Sequence, residues 1–245
     1  LKLIESKVLN IGEDQMIAGD SKRSYHQHCG LAKALDVVGS RWTLLIVREL
    51  LLGPRRWSQL LDSLPGLTTN LLAKRLVELQ EQGLIERLPA VPGDPEPGRR
   101  GTYQLTDRGR ALEPALMELG RWGAHQLPAR PDPRDRFDLG WALISSKRRY
   151  SRAANRPRLT LELGVHQSEV QRRFQLRCDP GYVDLREDTP WPADLVLDGS
   201  LDAVLQLWML GVPATELLRR GQLSLVGEPE LLADILSSFS GIRWE

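Results

Sequence analysis

The chain has 245 residues, 41% of them hydrophobic, and a formal net charge of +1. That length supports one or two globular domains, while the near-neutral balance excludes any bulk electrostatic argument for nucleic acid or membrane as a partner. Two cysteines, Cys29 and Cys178, are too few for a disulfide framework or a four-thiolate zinc site, and no run approaches the ~20 apolar residues of a spanning helix. A cytoplasmic protein that is neither exported nor membrane-bound is therefore expected.

Residues 1–24 read as a lead-in arm. From Gly30 the spacing of Leu31, Ala34, Leu35 and Val38 places them on one face of a helix that Gly39 ends. Ser40 is the expected cap of a second helix, apolar around nearly its whole circumference (Trp42, Leu44, Leu45, Val47, Leu50, Leu51) and stopped by Gly53 and Pro54. A short helix over 57–64, a Pro65-Gly66-Leu67 turn and a helix over 68–82 closed by Gly83 make a helix-turn-helix. Two strands, 84–88 and 102–106, flank a Pro/Gly-rich loop carrying Arg99 and Arg100, and so form a hairpin with a basic tip. Thr106 or Asp107 caps a last helix bearing Leu112, Leu116, Leu119 and Trp122, with Pro114 admissible only in a first turn or at a kink. That helix has more apolar surface than a small domain needs, which points to a partner chain.

The Pro-rich, charged stretch 127–135 is the expected domain boundary. Beyond it a helix over 137–150 precedes runs at 158–163, 170–177, 182–186 and 193–197, read as an antiparallel sheet. Helices over 200–210 and 214–220, a strand over 223–226 and a helix over 228–239 complete the chain. The fold class is thus α+β: an arm (1–24), a winged helix-turn-helix (25–127), and an α+β sheet-and-helix domain (136–245).

A helix enters the major groove when one face packs on its own domain and the other offers polar or basic side chains to bases and phosphates. In the helix from Thr68, at about 100° per residue, Leu72, Leu76 and Leu79 share one side, and Asn70, Ala73, Lys74 and Val77 the other. Asn70 and Lys74 are expected to face the groove, with Thr68 and Thr69 at the N-terminus, where free N–H groups favour phosphate. Two roles stand open for Arg75, a phosphate contact or an intradomain ion pair. Arg99 and Arg100 suit a narrow minor groove. Ser58, Gln59, Arg55 and Arg56 complete the candidate DNA contacts.

Residues 29–60, with Gly39-Ser40-Arg41-Trp42-Thr43 as their most particular part, resemble the opening of HxlR-type winged-helix regulators. So do 64–76 (Leu64-Pro65-Gly66-Leu67-Thr68-Thr69-Asn70), Gly83-Leu84-Ile85-Glu86-Arg87 and the run from Tyr103 to Gly109. The resemblance covers about 100 residues. It implies a transcriptional regulator, a repressor by default, dimerising through the first and last helices of the domain (Leu31, Leu35, Leu112, Leu116, Leu119, Trp122) on pseudo-palindromic duplex DNA. Family members often carry Cys-Pro where this chain has Cys29-Gly30, and some sense oxidants through that cysteine. For Cys29 a redox sensor, its thiol acidified by protonated His26 or His28, stands beside an inert thiol at a helix start. The His26, His28 and Cys29 cluster lacks a fourth ligand for structural zinc, so no metal is expected.

In the second half, the strand-Asp198-Gly199-Ser200-helix pattern and the Gly-bounded strand and helix over 216–232 are similar to the terminal half of sterol carrier protein type 2-like domains. Such folds can hold an apolar ligand, and Trp141, Trp191, Leu205, Trp208, Met209 and Leu217 are the candidate lining, with ordinary core as the competing reading. An apolar small-molecule effector follows as an expectation. No nucleophile elbow, phosphate loop, dinucleotide fingerprint or metalloprotease motif occurs, so neither catalysis nor a cofactor is expected. The alternative function is a lipid carrier or oligomerisation protein whose winged helix only mediates protein contacts.

Overall fold

The computed structural model describes residues 24–89, 101–128, 132, 134–151, 153, 155–189 and 191–242. The chain divides after Ser40. In the first unit, helix α1 (Gly30–Val38) leaves Leu31, Ala34 and Leu35 exposed. The segment leading into it is tied down by Asp36, whose carboxylate accepts from the Tyr25 N–H at 2.9 Å and the Ser24 hydroxyl at 3.2 Å.

The second unit starts with α2 (Thr43–Leu51), whose Ile46, Val47, Leu50 and Leu51 are buried. Its start departs from the expectation: Trp42, with φ 79°, occupies the N-cap position, and Ser40 is not the cap. Strand β1 (Arg55–Arg56), α3 (Trp57–Ser63) and α4 (Thr69–Glu81) follow, then β2 (Ile85–Arg87) and β3 (Thr102–Leu105). The three strands form an antiparallel sheet in the order β1-β3-β2, pairing Arg55 with Tyr103 and Ile85 with Leu105. β1 adds a third strand to the predicted hairpin.

The single helix expected after Thr106 is two: α5 (Asp107–Arg110) and α6 (Glu113–Ala124). Thr106 caps α5, accepting from the Gly109 N–H at 3.1 Å while donating to the Gly83 carbonyl at 2.6 Å. α5 lies so close to β2 that a Cβ on Gly109 would stand 2.0 Å from the Leu84 carbonyl oxygen. Pro114 then sits in the first turn of α6, where its missing N–H costs nothing. No α6 residue is buried.

After α7 (Leu139–Ser146) and a short 3-10 turn (Lys147–Arg149), strands β4 (Leu159–Gln167), β5 (Val170–Asp179), β6 (Tyr182–Glu187), β7 (Leu195–Ser200) and β8 (Leu223–Val226) form a sheet in the order β6-β5-β4-β7-β8. β4 and β7 run parallel, with Leu163 opposite Leu197, so the sheet is mixed rather than antiparallel. The crossover joining them carries the chain through β5 and β6. Helices α8 (Leu201–Trp208), α9 (Ala214–Arg219) and α10 (Pro229–Ser237) complete the domain. Ser200 caps α8 by accepting from the Ala203 N–H at 3.2 Å.

The winged helix and the sheet domain meet at charged groups. Glu187, at the end of β6, is buried; its carboxylate pairs with Arg55 of β1 and, at 2.6 Å, with Arg172 of β5. Arg172 also reaches Asp138, the cap of α7, at 2.8 Å. The Glu187 N–H donates to the Leu52 carbonyl at 2.7 Å. Nearby, the Trp141 indole N–H donates to Glu49 at 2.7 Å, and the Arg48 guanidinium lies 3.8 Å from the Trp141 ring centre.

Candidate nucleic-acid interface

The helix-turn-helix is built by α3, the turn at Gly66 and α4. Gly66 has φ +86°, which only glycine adopts without strain, so the turn can be this tight. Leu72, Arg75, Leu76 and Leu79 are the buried face of α4. Thr68, Thr69, Asn70, Lys74 and Val77 are exposed. Thr68 caps the helix by accepting from the Leu71 N–H at 3.4 Å, so its hydroxyl is engaged at the same N-terminus that was expected to meet phosphate.

Around this helix the predicted contacts separate. Gln59 is exposed, and its side-chain carbonyl accepts from the Arg56 N–H at 2.8 Å, which fixes the entry to α3; Ser58 is half-buried and Arg56 exposed. Arg55 does not belong to this surface: its side chain is 12% exposed and pairs with Glu187. Arg75, 8% exposed, takes the intradomain role of its two readings, donating to the Arg41 carbonyl at 3.1 Å and pairing with Glu78. Phosphate contact by either would require breaking these pairs. Arg99 and Arg100 lie outside the described residues.

Two cations escaped the sequence reading. Arg41 is exposed, with its guanidinium 5.2 Å from the Trp42 ring centre, and its backbone is held against α4 by Arg75. Arg87 is exposed on β2, beside Gly101 at the far side of the hairpin. The signal for Arg41 was present in the Gly39-to-Thr43 run, but spacing alone assigns it no face.

The apolar residues expected at a dimer interface divide similarly. Leu31 and Leu35 are exposed on α1. Leu112, at the N-cap of α6, and Leu116 on it are half-buried, while Leu119 and Trp122 are 51% and 65% exposed.

Cys29 is exposed at the start of α1, and its thiol is shifted below the usual range by the backbone N–H groups of Ala32 and then Leu31. The cause is the helix N-terminus rather than the expected imidazoles. Among the described residues, no three His, Cys, Asp or Glu side chains gather in a way that would hold a metal ion.

The expected ligand lining does not assemble. Trp208 and Leu217 are fully buried core, with Trp208 packed 5.5 Å from the Phe239 ring. Met209 is exposed, Leu205 is half-buried on α8, Trp191 lies under the Arg177 guanidinium at 3.7 Å, and Trp141 points to Glu49. The core reading holds for Trp208 and Leu217 because α8, α9 and α10 close directly onto the sheet. Trp141 borders a small cleft of about 180 Å³, while the clefts of about 610 and 280 Å³ are lined by other residues.

Residues 37–131 match the HxlR-like helix-turn-helix family model. A curated HTH-type transcriptional regulator of Synechocystis is 38% identical over 101 residues, spanning 40% of this chain and 70% of the relative. The chain belongs to the HxlR-like helix-turn-helix family. The HTH-type regulator YvaP of Bacillus subtilis is 41% identical over 90 residues, covering 37% of this chain and 80% of the relative. A Mycobacterium bovis regulator is 45% identical over 102 residues, and there this HxlR-like chain spans 61% of the relative's length. The reduced form of the regulator YodB from Bacillus subtilis aligns over 43% of this chain and all of that one, at 30% identity and a TM-score of 0.35. No helix among the described residues is long and apolar enough to cross a membrane.

Proposed function

We propose that the protein is a dimeric transcriptional regulator, acting as a repressor, whose α4 reads base edges in the major groove of duplex DNA. The observation that carries this is the exposed row of Thr69, Asn70 and Lys74 on the outer face of α4, set on a buried leucine face. Asparagine suits adenine, lysine suits guanine or phosphate, and the positive helix N-terminus favours the backbone. Arg99 and Arg100 of the hairpin loop are proposed for the adjacent minor groove, and Arg41, Arg56, Ser58 and Gln59 for phosphates near α4. Repression then needs only occupancy of the promoter.

Selection from a random duplex library is expected to return a two-fold symmetric motif with half-sites about 34–36 Å apart. Failure to enrich any sequence would remove the reading.

The two-fold motif rests on a dimer formed through α1 and α6, supported by the exposed Leu31, Leu35, Leu119 and Trp122. Trp122→Arg places a charge among the exposed apolar residues of α6. It is expected to shift the sedimentation coefficient from dimer to monomer at micromolar concentration without changing the circular dichroism spectrum; a dimer of unchanged affinity would contradict the interface.

Cys29 is proposed as a reactive thiol. Iodoacetamide should modify it several-fold faster in the native protein than in urea at pH 7, because only the folded helix start lowers its titration; equal rates leave it an inert thiol.

The second half is proposed to hold an effector with an apolar body. The succession of β7, the Ser200 cap, α8, α9, β8 and α10 supports its likeness to sterol carrier-like domains. An effector acts only through unequal affinity for DNA-competent and incompetent states.

A further inference from the structure

Between α6 and the β5–β6 turn lies a cleft of about 610 Å³, a volume in the range that takes an organic molecule. Its walls are of two kinds. Pro114, Met117 and Tyr182 supply apolar surface, Arg110, Lys147 and Arg148 supply positive charge, and the two acids on the wall, Glu113 and Glu118, are paired with Lys147 and Arg121. Lys147 is paired with Glu113 and stands 5.1 Å from the Tyr182 ring centre, so its charge is largely answered within the protein.

The two arginines differ. Among the described residues the Arg110 guanidinium makes neither a hydrogen bond nor an ion pair, although it is half-buried; Asp184, the acid across from it, is committed to Arg186 at 3.1 Å, and Asp107 lies at the start of α5. Burial first, and then the Arg186 charge, pull its titration below the usual range, which is the mark of a cation short of a counter-charge. Arg148 donates to the Ser145 carbonyl at 3.0 Å and, among the described residues, has no carboxylate partner. The Tyr182 hydroxyl is pushed up to about 12 by burial, and then by Asp184 and Glu113, so it remains a neutral donor. A carboxylate that displaces no existing partner can therefore be received by Arg110 and Arg148, over an apolar floor.

We infer that this cleft binds a small organic carboxylate with an apolar, ring-sized body, its charge on Arg110 and Arg148 and its body against Met117, Pro114 and Tyr182. The inference deepens the effector reading above and relies on it only for the consequence of binding, not for binding itself. The consequence follows from placement. Met117 is two residues before Leu119, about 200° around α6, so a ligand touches the back of the helix whose other side is proposed to dimerise.

The test uses 2-naphthoate as probe and 2-naphthalenemethanol as its uncharged counterpart, titrated calorimetrically into the full chain without DNA. Naphthoate is expected to bind at least tenfold more tightly than the alcohol. Arg110→Met should abolish that difference, and Arg148→Met should reduce it. Should Arg110→Met not fold, judged by circular dichroism, Arg148→Met alone carries the comparison. Equal affinity for acid and alcohol, absence of naphthoate binding up to 1 mM, or an arginine variant that retains full preference would each overturn the site. Naphthoate binding with unaltered affinity for the selected DNA would instead overturn the effector reading and leave the cleft standing.

Discussion

Asn70→Ala is expected to weaken binding to the selected operator by about thirtyfold or more and to relax discrimination at one base pair of each half-site. A bidentate base contact contributes roughly 1–3 kcal/mol, and a two-fold operator presents it twice. Lys74→Ala should behave differently if its partner is phosphate: affinity falls on every duplex alike, and the salt dependence flattens by about one ion for each phosphate no longer neutralised. Arg75→Ala is the informative companion. Because Arg75 is buried on Glu78 and the Arg41 carbonyl, its removal should lower the unfolding midpoint and act on DNA only by loosening the helix-turn-helix. Competition assays against duplexes varied one base at a time read all three. If Asn70→Ala left specificity intact, α4 would not be the reading helix.

The seam between the winged helix and the sheet domain makes a second strong prediction. Glu187→Ala removes a carboxylate that is 5% exposed and answers two guanidiniums, Arg55 and Arg172. Breaking a buried pair by deleting one partner costs about 3–5 kcal/mol, since the remaining charge is left unanswered. Arg172 is partly solvated and keeps Asp138, which places the expected loss at about 3 kcal/mol in urea unfolding. The pH dependence has a fixed sign. Burial alone would raise the Glu187 carboxyl, but the Arg172 hydrogen bonds and the Arg55 and Arg172 charges outweigh it and hold the group below its ordinary 4.5. A carboxyl depressed by folding stabilises the fold above its unfolded value, and that contribution is lost as pH falls through the folded value. The stability gap between the native protein and Glu187→Gln should thus be constant near neutrality and narrow below about pH 4.5. A gap that widened on acidification would mean that the carboxylate is not what the arginines hold.

How far this could be read beforehand depends on the kind of order involved. The helices 43–51 and 69–81 were legible because their apolar residues report burial directly, whereas in 30–38 the same spacing marked the helix but not its burial, since Leu31, Ala34 and Leu35 are exposed. Strand β1 was not, since two residues carry no period and its pairing with Tyr103 joins positions far apart in the chain. The parallel pairing of β4 with β7 was illegible for another reason: alternation marks a strand's faces, never its direction. Within the candidate site, the exposure of Asn70 and Lys74 was legible because they oppose the leucine face. Arg55 was misplaced because its partner, Glu187, lies 132 residues along the chain. The ligand lining failed because large apolar residues at helical spacing describe a packed core as readily as a cavity, and α8 to α10 use Trp208 and Leu217 for packing.

The exposed face of α4 and the cations around it are proposed to hold duplex DNA through specific contacts and phosphates together. The most direct measurement is a gel-shift titration of the purified protein on its selected duplex, with excess random competitor, across a series of salt concentrations. A shift that survives competitor is expected, with the logarithm of affinity falling linearly with the logarithm of salt at a slope of about −0.9 per phosphate neutralised. A shift erased by competitor, or an affinity indifferent to salt, would contradict it.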